Sequence, residues 1–228
     1  MCIRDRGRVV HLQPVCWMEN WPVIGVDMDM NGIGEPVKVW TKPGVSKSVL
    51  VSHPQTTDDF NSYTLGLQWQ FNHNPVNTHW SLNERRGWLA LKALKAATLR
   101  ESRNMLTQKC MGYLSTATVL LDFSALADGQ RGGLFCTGSL YNGIGISREE
   151  GKNYLYLEKN GDVQQVKMVS GKKIYLRVML DAKKNRCQLF YSFDNCNFIL
   201  CGDAYSLKFG DWKGARVGLY SYLSLIHI

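Results

Sequence analysis

The chain has 228 residues, of which 45% are hydrophobic and 20% charged, and its formal net charge is +8. A chain of this size buries roughly 70% of the surface that its unfolded form exposes, so it folds without help from a disulfide or a metal. No apolar run approaches the ~18 residues needed to span a bilayer, so we expect no membrane segment. The basic residues occur as scattered pairs rather than as a stripe, which favours a solvated basic face over nucleic-acid binding.

The two ends of the chain carry an inverted repeat. Residues 1–6 can be reverse-translated as ATG TGT ATA AGA GAC AG, and the complementary strand of that sequence, read one base out of phase, encodes the Leu-Ser-Leu-Ile-His found at 223–227. Such a repeat is typical of a sequencing adapter translated as coding sequence. We therefore expect 1–6 and 223–228 to be non-native, and the chain to be a fragment of a longer protein.

The sequence pattern of the first native segment, 7–44, predicts short strands around a turn-rich insert. Apolar runs at 9–17, 21–26 and 36–40 are separated by Gly, Asn and Asp residues. Residues 41–48 then carry Pro, Gly and three hydroxyl side chains without any hydrophobic period. We expect a linker over 45–57.

For the rest of the native chain, 58–222, the sequence pattern predicts an all-β sandwich or jelly roll. Short alternating apolar runs recur about every 8 to 12 residues between Gly, Asn and Asp, which is typical of such folds. Asn160-Gly161 and Asp194-Asn195 fall between runs, where tight turns need positive φ. The predicted strands are 65–71, 87–92, 115–123, 132–137, 143–148, 153–158, 163–169, 174–180, 187–193, 198–201 and 215–222.

One stretch is ambiguous. Residues 90–102 are rich in Ala, Leu, Lys, Arg and Glu, which favour a helix, whereas Trp88 to Lys92 also fits a strand. We expect the strand, followed by at most a short helix over 96–102.

A possible cation site lies in the first segment. Asp27, Asp29 and Asn31, followed by Gly32, match the start of a calcium loop, in which oxygen ligands stand at alternate positions. The position that a bidentate Glu would occupy is Lys38, so the match is partial. The alternative is an Asx-rich turn that joins two strands.

Cysteine and tryptophan give weaker signals. Six cysteines lie within the segment expected to be native, 7–222, and they form no Cys-x-x-Cys pair. Because most of them stand among apolar residues, we expect buried free thiols. The tryptophans could stack on sugar rings, but more of them should pack in the core. They are Trp17, Trp21, Trp40, Trp69, Trp80, Trp88 and Trp212.

Longer motifs carry a family resemblance. Gly7-Arg8 with its following residues to Trp17, and Trp21 to Asp27, resemble the last blade of the five-bladed β-propeller of glycoside hydrolase family 43. Segments 54–60 and 65–75 resemble the opening of the concanavalin A-like sandwich that these enzymes carry after the propeller. The resemblance continues through 80–89, 116–118 and 211–219.

The resemblance implies an inverting hydrolase of the β-xylosidase or α-L-arabinofuranosidase type, acting on arabinoxylan or xylan and their oligosaccharides. Inversion needs two carboxyl groups ~6.5 to 9.5 Å apart, one to activate water and one to protonate the leaving oxygen. In the family these groups come from earlier blades, so we expect the catalytic Asp, Asp and Glu upstream of Gly7 and an isolated fragment without activity. The partner would be the missing propeller of the same chain, and the location secreted or periplasmic. No cofactor is required, although calcium at Asp27, Asp29 and Asn31 stays possible.

Two residues take candidate substrate-binding roles from the resemblance. Arg8 matches the arginine that faces the sugar and the general base, and the alternative is an interblade salt bridge. Trp212 lies in the segment that matches a loop closing the pocket, and the alternative is interdomain packing.

A second interpretation is a lectin-like module that binds glycans without cleaving them. It requires an exposed aromatic row on one sheet and a first segment that completes the sandwich. The enzyme interpretation instead predicts that 9–40 forms an isolated hairpin with an open apolar face.

Overall fold

The computed structural model describes residues 11–41, 44, 52–207 and 214–224. The described residues divide into two compact units, one that ends at His53, called here the hairpin unit, and one that begins at Pro54, called here the sandwich unit. The division falls within the segment predicted as a linker, 45–57. No helix in the described ranges is long and apolar enough to cross a membrane.

The described residues form strands and only two short 3-10 turns, Asn77–His79 and Leu99–Glu101. The strands are β1 (Val15–Met18), β2 (Trp21–Ile24), β3 (Gln70–Phe71), β4 (Trp80–Ser81), β5 (Ala90–Leu91), β6 (Leu94–Ala96), β7 (Leu106–Lys109), β8 (Leu114–Asp122), β9 (Gln130–Thr137), β10 (Tyr141–Glu149), β11 (Lys152–Lys159), β12 (Asp162–Met168), β13 (Lys173–Asp181), β14 (Arg186–Ser192), β15 (Ile199–Leu200), β16 (Tyr205–Ser206) and β17 (Arg216–Ser224).

Two main sheets make the sandwich unit. The larger sheet has eight strands in the order β12-β11-β10-β9-β17-β7-β3, with β6 beside β17. The smaller sheet has five strands in the order β15-β14-β13-β8, with β16 beside β14. Neighbouring strands run antiparallel except β6 and β17, and β4 pairs separately with β5. The late strand β17 lies between β9 and β7, so the sheet order does not follow the chain order.

The alternation of the sequence explains these strands. In β13, Ile174, Leu176, Val178 and Leu180 are buried, while the residues between them are half-buried or exposed. The β11–β12 turn has φ of 52° at Asn160 and 100° at Gly161, as its two-residue loop requires. The predicted strands from 115 onward are found with shifted ends, whereas 65–71 and 87–92 shrink to two strand residues each. Strands β4, β6, β7 and β16 were not predicted.

Apolar side chains fill both faces of the larger sheet. Between the two sheets lies the inner core, which includes Phe123, Ile144, Leu155, Leu176 and Leu189. On the opposite face of the larger sheet is a second group, called here the outer cluster. It contains Ala96, Leu99, Met105, Phe135, Tyr141, Tyr156, Tyr220 and Tyr222. The segment that carries Ala96, Leu99 and Met105 therefore covers this face.

Several local expectations are corrected. The predicted strand 36–40 is absent, and this region contributes only a single bridge between Val26 and Glu35. Residues 90–102 contain the expected strand, as Ala90–Leu91, and the expected short helix, as the 3-10 turn Leu99–Glu101, but also an unpredicted second strand, Leu94–Ala96. Strand β17 continues through Leu223 and Ser224, beyond the predicted end at 222. Whether those two residues are native stays a prediction.

Candidate functional site

The hairpin unit contains one pair of strands joined by a two-residue turn. Glu19 and Asn20 occupy that turn with φ of 50° and 66°, and Met18 pairs with Trp21 beside it. Gly25 packs directly against the backbone of Glu35. A Cβ at position 25 would stand 2.1 Å from the Glu35 carbonyl oxygen, so only glycine fits there. The unit is thus a small, sharply folded β-structure.

This hairpin leaves most of its apolar side chains in solvent. Trp17 is 72% exposed, Trp21 73% and Ile24 61%, and of the eight strand residues only Val23 is buried. Strands β1 and β2 pair only with each other among the described strands. An exposed group of large apolar side chains is a signature of a surface that another part of a protein covers.

The predicted calcium residues are close together but bonded to their own loop. The Asp27 carboxylate accepts the backbone N–H groups of Asn31 (3.1 Å) and Gly32 (2.8 Å). The Asn31 side-chain amide donates to Asp29 at 2.9 Å, and its oxygen accepts the Ile33 N–H at 2.8 Å. No cluster of three or more His, Cys, Asp or Glu side chains suited to a metal occurs in the described ranges. The loop therefore has the hydrogen bonds of an Asx-rich turn, and its side chains do not converge as a ligand cage would; calcium binding stays a prediction.

Asp58 organises the start of the sandwich unit. Its carboxylate accepts the Phe60 N–H (2.8 Å), the Gln68 amide (3.0 Å) and the Trp69 indole N–H (2.7 Å). Phe60 stacks on Trp69 with ring centroids 5.6 Å apart. Hydrogen bonds to a carboxylate are stronger than neutral ones, so this group fixes the chain between 58 and 69.

The outer cluster encloses a buried carboxyl group. Glu158 is fully buried and accepts two hydrogen bonds, from the Leu99 backbone N–H at 2.7 Å and from the Tyr222 hydroxyl at 2.6 Å. Arg131 donates to the same Tyr222 hydroxyl at 3.1 Å. Burial opposes the charge of Arg131, but its bond and attraction to Tyr222 and its attraction to Glu158 prevail and raise its pKa. This network ties the covering segment to the sheet.

Two glycines make room for that cover. A Cβ on Gly143 would lie 2.9 Å from Leu99, and one on Gly145 would lie 2.7 Å from the Tyr220 hydroxyl. Tyr220 shares a 2.6 Å hydrogen bond with Tyr156, whose pKa is raised well above its usual value, first by burial. The aromatic face of the larger sheet is therefore closed by the chain itself.

The six described cysteines are free thiols. Cys136, Cys187 and Cys201 are buried and Cys110 is half-buried, whereas Cys16 and Cys196 are exposed. Contacts with Cys110 and Cys187, together with burial, raise the pKa of Cys136. The prediction of buried free thiols is thus correct for three of the six.

Tryptophans in the sandwich unit serve packing, as expected. Trp69 and Trp80 are half-buried and pack on Phe60 and Phe71, and Arg85 lies 4.0 Å from the ring centre of Trp88. Arg8 and Trp212, the two residues with predicted substrate-binding roles, lie outside the described residues.

Sequence reasoning missed the network around Glu158. A charged residue at every second position of a strand normally faces solvent, so Glu158 gave no signal. Two patterns in the sequence could have indicated this network: the alternate glycines Gly143 and Gly145 in one strand, and the alternate tyrosines Tyr220 and Tyr222 in another. Glycines inside a strand often mark the close approach of another group.

Comparisons with known proteins agree with this architecture. Residues 57–225 match the family model described as the β-xylosidase C-terminal concanavalin A-like domain. A putative β-xylosidase of Xylanibacter ruminicola is 45% identical over 93% of this chain and 39% of its own length. A β-xylosidase of Formosa agariphila is 38% identical over 95% of this chain and 40% of its own length. The structure of a bifunctional GH43-CE protein of Bacteroides eggerthii superposes with a TM-score of 0.72 and 27% identity, covering 96% of this chain and 29% of that one.

Two facing antiparallel sheets, with a late strand inserted in the middle of the larger one, define a concanavalin A-like sandwich. The preceding hairpin is a separate unit. The chain belongs to glycoside hydrolase family 43, through its β-xylosidase C-terminal domain family. It spans about 40% of the length of the two curated relatives.

Proposed function

We propose that this chain is the C-terminal part of an inverting glycoside hydrolase that releases xylose or arabinose units from xylan-type polysaccharides or oligosaccharides. In this proposal the sandwich supports the catalytic propeller, and the hairpin is part of its last blade. The names of the two curated relatives favour a xylosidase. The resemblance also places the parent protein outside the cytoplasm, secreted or periplasmic, which cell fractionation would test.

The observation that carries the proposal is the open hairpin. Trp17, Trp21 and Ile24 project into solvent from a strand pair that has no further strand beside it in the described part of the chain. A blade of a propeller has this character once its neighbours are removed, because a blade packs its faces against adjacent blades. A hairpin that belonged to a closed sandwich would be covered on one side.

The resemblance places the catalytic carboxyl groups upstream, and the described carboxyl groups with a clear pKa shift are engaged in local structure instead. A general acid needs a raised pKa, whereas the two described carboxyl groups with a clear shift, Asp122 and Asp194, both have lowered pKa values. Burial opposes ionisation of Asp122, but hydrogen bonds from Ser124 and Arg85 outweigh it. Asp194 is held ionised first by the Asn197 backbone N–H. Glu158 has each oxygen committed to a buried donor.

The lectin-like alternative requires an exposed aromatic row. On the larger sheet the tyrosines that would form such a row, Tyr141, Tyr156, Tyr220 and Tyr222, are buried under the segment with Leu99 and Met105. The closed face therefore favours a supporting domain over a glycan-binding one.

The decisive experiment compares the complete parent chain with this 228-residue chain. Both are assayed on p-nitrophenyl xyloside and p-nitrophenyl arabinofuranoside, with the anomer of the first product read by NMR. We expect activity with inversion in the complete chain only. Activity of the 228-residue chain alone, or of neither, would overturn the proposal.

Two substitutions in the complete chain test the proposed substrate-binding residues. Arg8→Ala should lower kcat/KM by about 100-fold, and Arg8→Lys should recover little, because a lysine lacks the planar fork of donors that orients a carboxylate and a hydroxyl together. Trp212→Ala should raise KM more than it lowers kcat. Unchanged kinetics in either variant would assign that residue to packing instead.

A further inference from the structure

Two arginines of the larger sheet are buried, and they differ in their partners. Arg131 is 4% exposed, lies 3.8 Å from the Glu149 carboxylate and donates to the Tyr222 hydroxyl. Arg216 is 6% exposed and forms no ion pair with an acidic side chain of the described residues. A buried charge is costly unless an opposite charge compensates it. Arg216 is therefore a buried cation that the described part of the chain leaves without a counter-charge.

Neutral acceptors fix the guanidinium of Arg216 in place. Val217 packs against the inner core, so alternation along β17 directs Arg216 to the opposite face of the larger sheet. One terminal nitrogen donates to the Thr107 hydroxyl at 2.8 Å, and the other donates to the Gln70 side-chain oxygen. The Nε nitrogen is buried and has no hydrogen-bond partner. Burial lowers the pKa of Arg216, whereas the pKa of Arg131 is raised. The guanidinium is thus held by groups that do not balance its charge.

Arg216 lines a pocket beside β3 and β7. The pocket volume is about 220 Å³, below the roughly 300 Å³ at which pockets for drug-sized ligands begin, so it suits a molecule of about one sugar ring. Lys109 is opposite Arg216 in the register of β7 and β17, is exposed and lines the same pocket. Asp58 accepts the Gln68 amide but does not line this pocket. Among the described residues, the lining therefore has two cationic side chains and no acidic one.

The rest of the pocket lining offers both kinds of contact that a sugar ring makes. Amide side chains bind hydroxyl groups, because each carries two N–H donors and an oxygen acceptor. Apolar side chains contact the C–H faces of the ring. The amides are Gln55, Gln68, Gln70 and Gln108, and the apolar residues are Pro54, Leu67 and Met111. The pocket therefore combines an uncompensated positive charge with the surroundings of a bound sugar.

We propose that this pocket binds an acidic sugar, a uronic acid, whose carboxylate pairs with the Arg216 guanidinium. A guanidinium presents a planar fork of donors that matches a carboxylate, and the ligand supplies the negative charge that the described chain lacks there. The ring hydroxyls then face the amides. The choice of a sugar among carboxylates rests on the proposed function, whereas the carboxylate site rests on the sandwich unit alone.

The test measures the binding of methyl glucuronoside by isothermal titration calorimetry, both to this 228-residue chain and to the complete parent chain. Methyl glucoside has the same ring without the charge, and acetate and inorganic phosphate carry charge without the ring. We expect one glucuronoside to bind per chain in both proteins, at least about tenfold more tightly than each of the three controls.

Three variants locate the site. Arg216→Gln removes the charge and should weaken glucuronoside binding at least about tenfold, while urea unfolding shows the chain to be no less stable, because an unpaired buried charge has been removed. Lys109→Gln, at an exposed position, should weaken binding about two- to fivefold. Arg85→Gln changes an arginine that is 52% exposed and lies outside the pocket, and it should leave binding unchanged.

Several outcomes would overturn the proposal. Equal affinities for glucuronoside and glucoside would remove the role of the charge, and equal affinities for glucuronoside and either acetate or phosphate would remove that of the ring. Unchanged binding in Arg216→Gln would place the ligand elsewhere. Should that variant not fold, unchanged binding in Lys109→Gln would do the same. Binding to the 228-residue chain that is lost in the complete chain would show that the rest of the parent protein fills the pocket. None of these measurements involves hydrolysis, so the proposed function can fail or stand independently.

Discussion

The aromatic residues of the outer cluster and those of the hairpin unit differ in their exposure to solvent. In the outer cluster Tyr156, Tyr220 and Tyr222 are closed off by the chain, and their hydroxyls find buried partners. In the hairpin unit Trp17 and Trp21 remain in solvent. A surface that folding completes by itself needs no partner, whereas a surface left apolar does. The contrast separates the residues that this chain buries by itself from those that the proposed function assigns to contacts with the propeller.

The largest test of this contrast is Glu158→Ala. Removing the carboxylate leaves the Leu99 N–H and the Tyr222 hydroxyl buried without an acceptor, so we expect the free energy of unfolding to fall by about 3 kcal/mol in urea. Glu101→Ala, an exposed glutamate in the same covering segment, should change it by less than about 0.5 kcal/mol. Equal effects for the two variants would mean that Glu158 does not hold the cover.

Gly145→Ala sharpens the same point. Its Cβ would stand 2.4 Å from the Gly132 carbonyl oxygen and 2.7 Å from the Tyr220 hydroxyl, so we expect a loss of about 2 kcal/mol in the unfolding free energy. The matched control is Gly132→Ala, whose Cβ meets nothing nearer than 3.5 Å. If both alanines cost the same in thermal and urea unfolding, close packing of Tyr220 on β10 is not the reason for the glycine.

An exposed ion pair should matter less than the buried network. The lowered pKa of Asp122 means that its bonds to Arg85 and Ser124 stabilise the fold above the unfolded value of about 3.9 and are lost as pH falls through the lower folded value. Since Arg85 is 52% exposed, we expect Asp122→Asn to cost only about 0.5 to 1 kcal/mol at about pH 6.

This difference should shrink steadily below about pH 4 in urea titrations. Asp203→Asn, at an exposed position, should change the free energy by less than about 0.5 kcal/mol. A cost for Asp122→Asn that grows towards acid would contradict the assigned sign.

The smallest expected effect is at Trp21. Because Trp21 is 73% exposed, Trp21→Ser should change the unfolding free energy of this chain by less than about 0.5 kcal/mol. Trp88→Ser, at a half-buried ring flanked by Arg85 and Lys173, should cost about 1 to 2 kcal/mol. A large loss at Trp21 would mean that the hairpin unit buries this ring in the isolated chain.

The sequence pattern correctly predicted those features that depend only on neighbouring residues. The alternation in Lys173–Asp181 and the Asn160-Gly161 turn were readable, because strand period and positive φ depend on neighbouring residues. The hairpin with its open apolar face also followed from the sequence. The chemical site proper could not be reached, since Arg8 and Trp212 lie outside the described residues.

What the sequence hid depends on contacts between distant residues. Glu158 stands in a strand in which Leu155 and Leu157 face the inner core. Since side chains alternate along a strand, the sequence predicts that Glu158 points to the opposite face, towards solvent. Only the segment around Leu99, 59 residues earlier, turns that position into a buried one. In the same segment the short helix was predicted from composition, whereas strand Leu94–Ala96 was not, because its pairing with β17 depends on residues far away in the sequence.

The position of β17 has a consequence for biosynthesis. Residues 216–224 fill the gap between β9 and β7, and β17 alone joins these two strands in the larger sheet. Until a ribosome has released this stretch, the nascent domain holds two partial sheets with open edges and lacks Tyr220 and Tyr222 of the outer cluster. The larger sheet can therefore close only after β17 has been made, and until then its open edges are exposed to chaperones and proteases.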